Sequence, residues 1–423
     1  MNASVARRFA PVAVAVLLFG FFAALYISGQ HQTYAELLKL WGLRPYPWPF
    51  LDADTVLSAV RCLNAGVDAY AANPCDPELR AYDYSPLWMV LTAFPVTTAW
   101  IPWVGLAFVT CFFGGLALLP PGRTREATLL VVLGVLSTPV VLAVERGNND
   151  LVIFLLVALM ATFLGGAPGR RLVGYALGVL AGLLKYYPML VMAAALREKP
   201  RRFVLVAATS LAVTLGFALV TWPNLSRALA IIPTGSPYYE MFGAKNLGLG
   251  IATVFELPGW FDPLVRGLLT LAALGGGIAL GLRGDTAEAM AKLDQREGDF
   301  LLTGALMAIG CFLSAQNIFY RSVDLMLVLP SLTALRVVGG PLRLRTAALL
   351  TLALLWHELF YRWMQVIGLS FGGEQGMWIE LIAGWLPREI GWWWLVTMLV
   401  SCATALLKEG PLPALLLGRR AKA

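Results

Sequence analysis

The sequence predicts an all-α polytopic membrane protein with about twelve transmembrane helices and long loops collected on one face. Three observations carry this: the scarcity of charge, the division of the chain into apolar runs, and the sorting of basic residues between connections. Charged residues make up 13% of the 423 and hydrophobic ones 59%, where a soluble domain carries roughly 25% charge. A water-soluble fold of this length cannot hide that much apolar surface, so the bilayer is the solvent for most of the chain. The 41 glycines and 25 prolines agree, because both are commoner in membrane helices than in soluble ones.

The first apolar run, 10–29, follows Arg7 and Arg8. A secretory signal has an apolar core of about 7–15 residues, so this longer run reads as a retained span or an uncleaved signal anchor. The next run, 86–119, is too long for one straight helix and contains Pro95 and Pro102. It reads as an interfacial piece leading into a span. Spans follow at 127–144 and 149–165. Segments 172–184 and 187–196 are each too short for a hydrocarbon core of about 30 Å, and Lys185-Tyr186-Tyr187-Pro188 separates them. They read as a shallow helical hairpin. Further spans are expected at 203–221, 262–282, 300–317, 320–337, 345–364 and 390–408. Residues 1–423 form a single integral membrane domain, with no tandem repeat and no soluble domain.

With a cytoplasmic N-terminus, the connections on that side hold twenty of the 32 basic residues and eight of the 25 acidic ones. They include Arg7, Arg8, Arg197, Lys199, Arg201 and Arg202, and the tail residues Lys408, Arg419, Arg420 and Lys422. The positive-inside rule then places both termini in the cytoplasm of a multi-pass inner (plasma) membrane protein. The net charge of +7 is a topology signal and requires no nucleic-acid partner. The cytoplasmic connection 283–299 is charged and helical in pattern. The outer connections 30–85, 222–261 and 365–389 are longer, with short amphipathic stretches suited to interfacial helices. Long loops on one side point to a site assembled there. Cys111, Cys311 and Cys402 lie in apolar runs as small hydrophobes. Cys62 and Cys75 fall in the outer compartment, where a disulfide is permitted.

The first outer connection is the most informative. It reads Pro49-Phe50-Leu51-Asp52-Ala53-Asp54, a helical run over 55–65, then Gly66-Val67-Asp68-Ala69-Tyr70 and later Tyr82-Asp83-Tyr84-Ser85-Pro86-Leu87. A carboxylate at a helix start either caps it or, above a lipid-facing cavity, takes a proton from a hydroxyl. Asp52 and Asp54 are two apart and do not face the same way, so one of them is the candidate base. Asp52-Ala53-Asp54 also matches a short divalent-cation pattern, so a metal ion is open but not required. Glu145, Arg146, Asp150, Lys185, Arg321, Asp324, His357, Glu358 and Arg362 map to outer ends of spans, where a lipid-facing charge is costly. Singly, each fits a side chain snorkelling to the interface. Together they gather cations on the same side as the aspartates. Lys185 and Arg321, flanked by Tyr186, Tyr187 and Tyr320, suit a phosphate. His31 reads as structural, whereas His357 stands with Glu358 and, one turn on, Arg362. There is no Gly-x-x-x-x-Gly-Lys-Ser/Thr loop and no zinc-ligand spacing.

The aspartate after span 1, the Gly-x-Asp-x-Tyr turn, Tyr-x-Tyr-x-Pro-Leu, Glu145-Arg146-Gly147-Asn148-Asn149-Asp150 and Gly182-Leu183-Leu184-Lys185-Tyr186-Tyr187-Pro188 form a recognisable series. It resembles the polyprenyl-phosphate-sugar-dependent mannosyl- and arabinosyltransferase relatives of glycosyltransferase family 87, in the GT-C superfamily. The similarity covers residues 45–200 well and is looser beyond. It implies a sugar donor carried on polyprenyl phosphate, an inverting transfer on the outer face, and a cell-envelope lipid or glycan acceptor. It implies an aspartate base, with Asp52 fitting the position better than Asp54. Lys185 matches the family's lysine, and Arg146 and Asn149 stand where the family carries a Gly-Gln-x-Asn-type break. The stretch Gln316-Asn317-Ile318-Phe319-Tyr320-Arg321 lacks the histidine such relatives often carry late in the chain, which leaves the acceptor open. Two other classes suit twelve spans with charges at membrane depth: a secondary transporter or polyprenyl-lipid flippase, and a lipid-binding scaffold. The long, asymmetric outer loops and the lack of matching halves speak against a carrier.

Overall fold

The computed structural model describes residues 3–232, 234–314 and 316–411. The tail cations Arg419, Arg420 and Lys422 lie outside the described residues. The fold is helical almost throughout, because in lipid each segment must satisfy its own backbone hydrogen bonds. The chain runs through α1 (Ala3–Ile27), α2 (His31–Leu40) and α3 (Leu51–Asn64) to a 3₁₀ segment Pro86–Ala93 and α4 (Ile101–Leu118). Then come α5 (Arg125–Val135), α6 (Thr138–Glu145), α7 (Asp150–Leu164), α8 (Pro168–Lys185), a 3₁₀ segment Tyr187–Arg197 and α9 (Pro200–Ala230). Strand β1 (Met241–Phe242), α10 (Lys245–Val254), α11 (Phe261–Gly281), α12 (Gly284–Ala291) and α13 (Gln295–Ser314) follow. After β2 (Asn317–Ile318) and a 3₁₀ segment Phe319–Leu327 come α14 (Leu329–Val337), α15 (Leu342–Phe371), α16 (Gly373–Ile379) and α17 (Leu386–Leu407). The two strands pair antiparallel, Met241 opposite Ile318.

Among the described residues, six helices are long and apolar enough to cross a membrane: Val5–Ile27, Thr98–Leu118, Pro200–Ala230, Phe261–Gly281, Gln295–Ser314 and Gly373–Leu407. The pair α5–α6, bent by 48°, makes a seventh if it counts as one span. The twelve apolar runs are therefore not twelve straight crossing helices. At 15 residues α7 reaches only about 22 Å, and 187–196 winds into a 3₁₀ segment. The run 320–337 is broken between the 3₁₀ segment and α14, which carries Pro330 in its first turn. The connection read as loop over 365–389 is also corrected. α15 continues to Phe371, and α16, a π-helical turn Glu380–Trp385 and α17 occupy the rest. α9 likewise runs on to Ala230 with Pro223 inside it.

Burial separates the centre from the rim. The apolar window of α13 is 83% buried and that of α9 only 6%, so α13 is core and α9 presents its sides to lipid. α7 lies against α4, α8 and α13. The short hairpin expected at 172–196 is present. Its tip is Lys185-Tyr186, and Tyr186 takes a left-handed φ of +47° to reverse the chain before Pro188.

Charge lies in two belts. Arg123 pairs with Glu297, Arg197 with Asp299, Arg171 and Arg202 with Glu198, and Arg343 with Asp285, all at the end the sequence assigns to the cytoplasm. Asp52, Asp54, Asp150, Glu240 and Glu358 find their cations at the other end. No ion pair among the described residues joins the two. Cys62 and Cys75 are bonded, with Cα atoms 5.8 Å apart, and tie α3 to the loop that follows it.

Replacing Cys62 and Cys75 by alanine frees a loop whose ends are 13 residues apart, a loss of about 3 kcal/mol for a loop of that size. The expected result is faster proteolytic cleavage between Ala65 and Arg80, with the transmembrane bundle unchanged by circular dichroism.

Candidate functional site

The site starts from how α3 begins. Phe50, just before it, has a left-handed φ of +66°, and no side chain caps the helix. The backbone of the α6–α7 break supplies acceptors instead. Phe50 N–H donates to the Glu145 carbonyl (2.8 Å) and Asp52 N–H to the Arg146 carbonyl (3.0 Å). These bonds take up amides that a helix start leaves unpaired. Neither Asp52 nor Asp54 is an N-cap: both lie inside the first turn. The junction needs glycine. Gly147 has a φ of +55°, and a Cβ there would stand 2.9 Å from Phe50 Cδ1 and 3.1 Å from Gly105 Cα.

The two aspartates part company from this turn. Asp52 turns inward, where its Oδ2 accepts from Asn148 Nδ2 (2.7 Å) and its Oδ1 lies 3.4 Å from Arg146 and 3.6 Å from Arg80. Asp54 turns the other way to pair with Arg61 (2.9 Å), which also bonds the Cys75 carbonyl (3.2 Å). Burial pushes the Asp54 carboxyl above the usual carboxylate range, and Arg61 draws it part of the way back. Asp54 is thus part of the frame around the disulfide. The two carboxylates have different partners, so the Asp-x-Asp match is not a chelating pair.

Asn148 links Asp52 to the buried ion pair. Its Oδ1 accepts from Asp150 N–H (2.8 Å), which starts α7, and lies 3.4 Å from Lys185 Nζ. Lys185 also donates to Asn149 (2.6 Å) and pairs with Asp150 (2.8 Å). Tyr187 OH lies 2.9 Å from Asp150 and 3.2 Å from Asp324, and Arg321 Nε is 3.7 Å from Asp150. The Lys185 ammonium sits over the rings of Tyr84 and Tyr320, at 5.1 and 5.9 Å. Tyr186 makes the turn, and its hydroxyl faces Ser85 and Asp83 rather than Lys185. The structure therefore brings together Asp52, Arg146, Asn149, Lys185, Tyr320 and Arg321, contributed by α3, the α6–α7 break, α8 and the segment 319–327.

His357 and Arg362 do not join them. His357 Nε2 bonds the Gly384 carbonyl (2.8 Å), and Glu358 lies between Arg362 (3.8 Å) and Arg388 (3.9 Å). The Glu358 carboxylate accepts the Glu240 N–H (3.2 Å), and Arg388 bonds the Pro237 carbonyl (2.8 Å). These groups hold the chain 237–240, where Glu240 is strained at a φ of +57° and its side chain meets Arg362 and Arg44. A backbone bond joins the two clusters: Phe319 N–H donates to the Glu240 carbonyl (2.9 Å) beside β1–β2. The two residues were expected at the phosphate; instead His357 ties α15 to the turn before α17 and Arg362 braces the chain 237–240.

Sequence reasoning assigned no role to Asn148, Arg80 or Asp83. Asn148 and Asp83 stood inside the motifs that carried the resemblance. Burial raises the Asp83 carboxyl, against the pull of Arg321 and Lys185, so it faces the same cluster. Arg80 gave no signal, being one cation in a polar loop.

Beside the charged cluster is an apolar cavity of about 630 Å³ between α1, α2, α4 and α6, lined among others by Phe19, Phe22, Phe50, Phe113 and Glu145. Its few polar groups include Tyr34, whose hydroxyl donates to Glu145 (3.0 Å). Phe50 and Glu145, joined by backbone, form part of its wall, and the next residues of the same two strands of chain lead to Asp52 and Arg146. An apolar chamber and a charged, arginine-bearing cluster thus share one partition. No protein-family model, curated protein or solved structure matches the chain.

Gly147→Ala is expected to cost about 1–3 kcal/mol, since a side chain at that φ is strained and meets Phe50. Gly169→Ala, where a Cβ meets nothing within 4 Å, should stay within about 0.5 kcal/mol. Thermal unfolding of the two variants in detergent measures the difference.

Proposed function

We propose that this protein is an inverting glycosyltransferase that moves a mannose-like hexose or a pentose from a polyprenyl-phosphate donor to a cell-envelope lipid or glycan. The observation that carries the reading is the shared partition: an Asp52 carboxylate flanked by cations lies one step from an apolar chamber of about 630 Å³. The chamber takes prenyl chain. Arg146, stacked on Tyr46 at 4.5 Å, stands nearest the partition to receive the phosphate, with Lys185 and Arg321 adding positive potential behind it.

The chemistry is one displacement. Asp52 takes the proton of the acceptor hydroxyl as its oxygen attacks the anomeric carbon. The bond from that carbon to the phosphate oxygen breaks, and polyprenyl phosphate leaves carrying the electron pair and the negative charge. One displacement inverts the anomeric centre. On this reading the chain is GT-C-like and traverses the membrane about twelve times when short and broken helices are included. The site then faces the outside, where a lipid-borne donor replaces the nucleotide sugars confined to the cytoplasm. The segregation of ion pairs into two belts supports such a two-faced arrangement.

Asp52→Asn is expected to lower transfer of radiolabelled sugar from polyprenyl phosphate into membrane acceptors by about 10²–10⁴-fold, the usual contribution of a general base. Asp54→Asn should stay within about tenfold of wild type, because its carboxylate serves Arg61. An Asp52→Asn protein that is folded and transfers at the wild-type rate would refute the assignment. Sugar crossing sealed vesicles without changing carrier would point to a transporter.

A further inference from the structure

Hydrogen-bond accounting across the cluster singles out Arg80. The three N–H groups of Lys185 already face Asn149, Asp150 and Asn148, at 2.6, 2.8 and 3.4 Å. Lys185 cannot take a new anion without surrendering one of them. Arg80 differs. Asp76 grips its Nε (3.1 Å) and one terminal nitrogen (2.9 Å), and the Leu51 carbonyl accepts from that same nitrogen (3.3 Å). The other terminal nitrogen stands 3.6 Å from Asp52 Oδ1, and Arg146 stands 3.4 Å from that same oxygen. The Arg80 side chain is 33% exposed, against 3% for Asp52, and Arg146 keeps a buried Nε without a partner. Two guanidiniums with unspent donors close on one carboxylate oxygen.

We infer that Arg80 and Arg146 form an anion gate over Asp52: the phosphate of a phosphate ester entering between them replaces the Asp52 oxygen as their acceptor and releases the carboxylate. Identifying that phosphate with the donor's rests on the function proposed above. Guanidinium binds phosphate through paired short hydrogen bonds, which a single oxygen at 3.4–3.6 Å does not offer. Asp76, fully buried, keeps Arg80 aimed while its free edge turns. Asn148 holds the second Asp52 oxygen, so the carboxylate stays in place when the guanidiniums leave. The charged and titratable groups around Asp52 are Arg80, Asp83 and Tyr84 from the loop, Glu145 and Arg146 from the break, Lys185 from α8, and Tyr320. Of these, only the two arginines pair with its oxygens. Before the phosphate arrives, the Asp52 carboxylate oxygen is clamped between two guanidiniums; afterwards both have turned to the phosphate, and that oxygen is free to accept from the acceptor hydroxyl. Donor binding therefore precedes proton removal from the acceptor.

The test uses the purified full chain and undecaprenyl phosphate, with undecaprenol and inorganic phosphate as separate arms. Arg80→Gln is expected to weaken undecaprenyl phosphate binding at least about tenfold while undecaprenol binds as before. Arg80→Lys keeps the charge without the fork and gives an intermediate loss, which covers a glutamine variant that fails to fold. In the transfer assay, the loss in Arg80→Gln falls on KM for the lipid donor and not on kcat, a split that a merely structural Arg80 would not produce. Arg80-dependent binding of inorganic phosphate as tight as that of the lipid supports the gate but assigns it to free phosphate. Equal binding of undecaprenyl phosphate by wild type and Arg80→Gln overturns the gate even where transfer is intact. A wild type that binds the lipid through Arg80 but transfers no sugar keeps the gate and sinks the transferase reading.

Discussion

The ion pair of Lys185 with Asp150, 2.8 Å long with both side chains almost wholly buried, is the constraint around which the upper half of the structure is arranged. Removing either partner would strand a charge in an apolar interior at a cost of about 3–5 kcal/mol. Three interruptions in the helical chain converge to prevent that. The α6–α7 break offers Asn148, Asn149 and Asp150 together; the α8 hairpin tip delivers the ammonium at the turn; and the segment 319–327 brings Tyr320 and Arg321. Continuous helices could not supply so many ligands at one depth. The shortness of α7 and the hairpin, wasteful as membrane crossings, follows from this requirement.

Two ionic clusters at the same end of the molecule divide the work. The one around Asp52 and Lys185 is built from breaks and faces the apolar chamber. The one around Glu358, Arg362 and Arg388 is built on continuous α15 and α17 and fixes the chain 237–240. A backbone bond beside β1–β2 joins them. Strain is kept at that joint, in Glu240, and at the mouth of α3, in Phe50, both held by neighbouring backbone or buried side chains.

Much of this was legible in the sequence. Composition gave the membrane, the sorting of basic residues gave the two belts, and the cost of charge at depth picked out Asp150, Lys185 and Arg321. Compartment permitted a Cys62–Cys75 bond, and the 5.8 Å approach of the two Cα atoms supplies it. Hydropathy read 127–144 and 320–337 as single runs, which helix starts at Pro139 and Pro330 divide into shorter pieces, because it sees composition and not the turn within it. The stretch 365–389, read as a connection, is mostly helical: Gly372 ends α15, Gly373 and Pro387 sit in the first turns of α16 and α17, and Gly384 lies in the π turn. At the site, Asp52 and Asp54 could not be told apart until the turn at Phe50 fixed the phase of α3. His357 was drawn in by rarity, and rarity says nothing of which way a helix face points. Arg80 was invisible because its meaning lies in Asp76 and Asp52, four and twenty-eight residues away in sequence.

The covalent tie between Cys62 and Cys75 bears on how the molecule is made. Asp76, the residue that aims Arg80, is the immediate neighbour of Cys75. A disulfide forms only where thiols oxidise, so the aim of Arg80 depends on that bond and not on the packing of the helices alone. Protein produced where thiols stay reduced would have every helix in place and a slack mouth. Preparations of equal purity and equal helix content could then differ widely in how many molecules can grip a ligand.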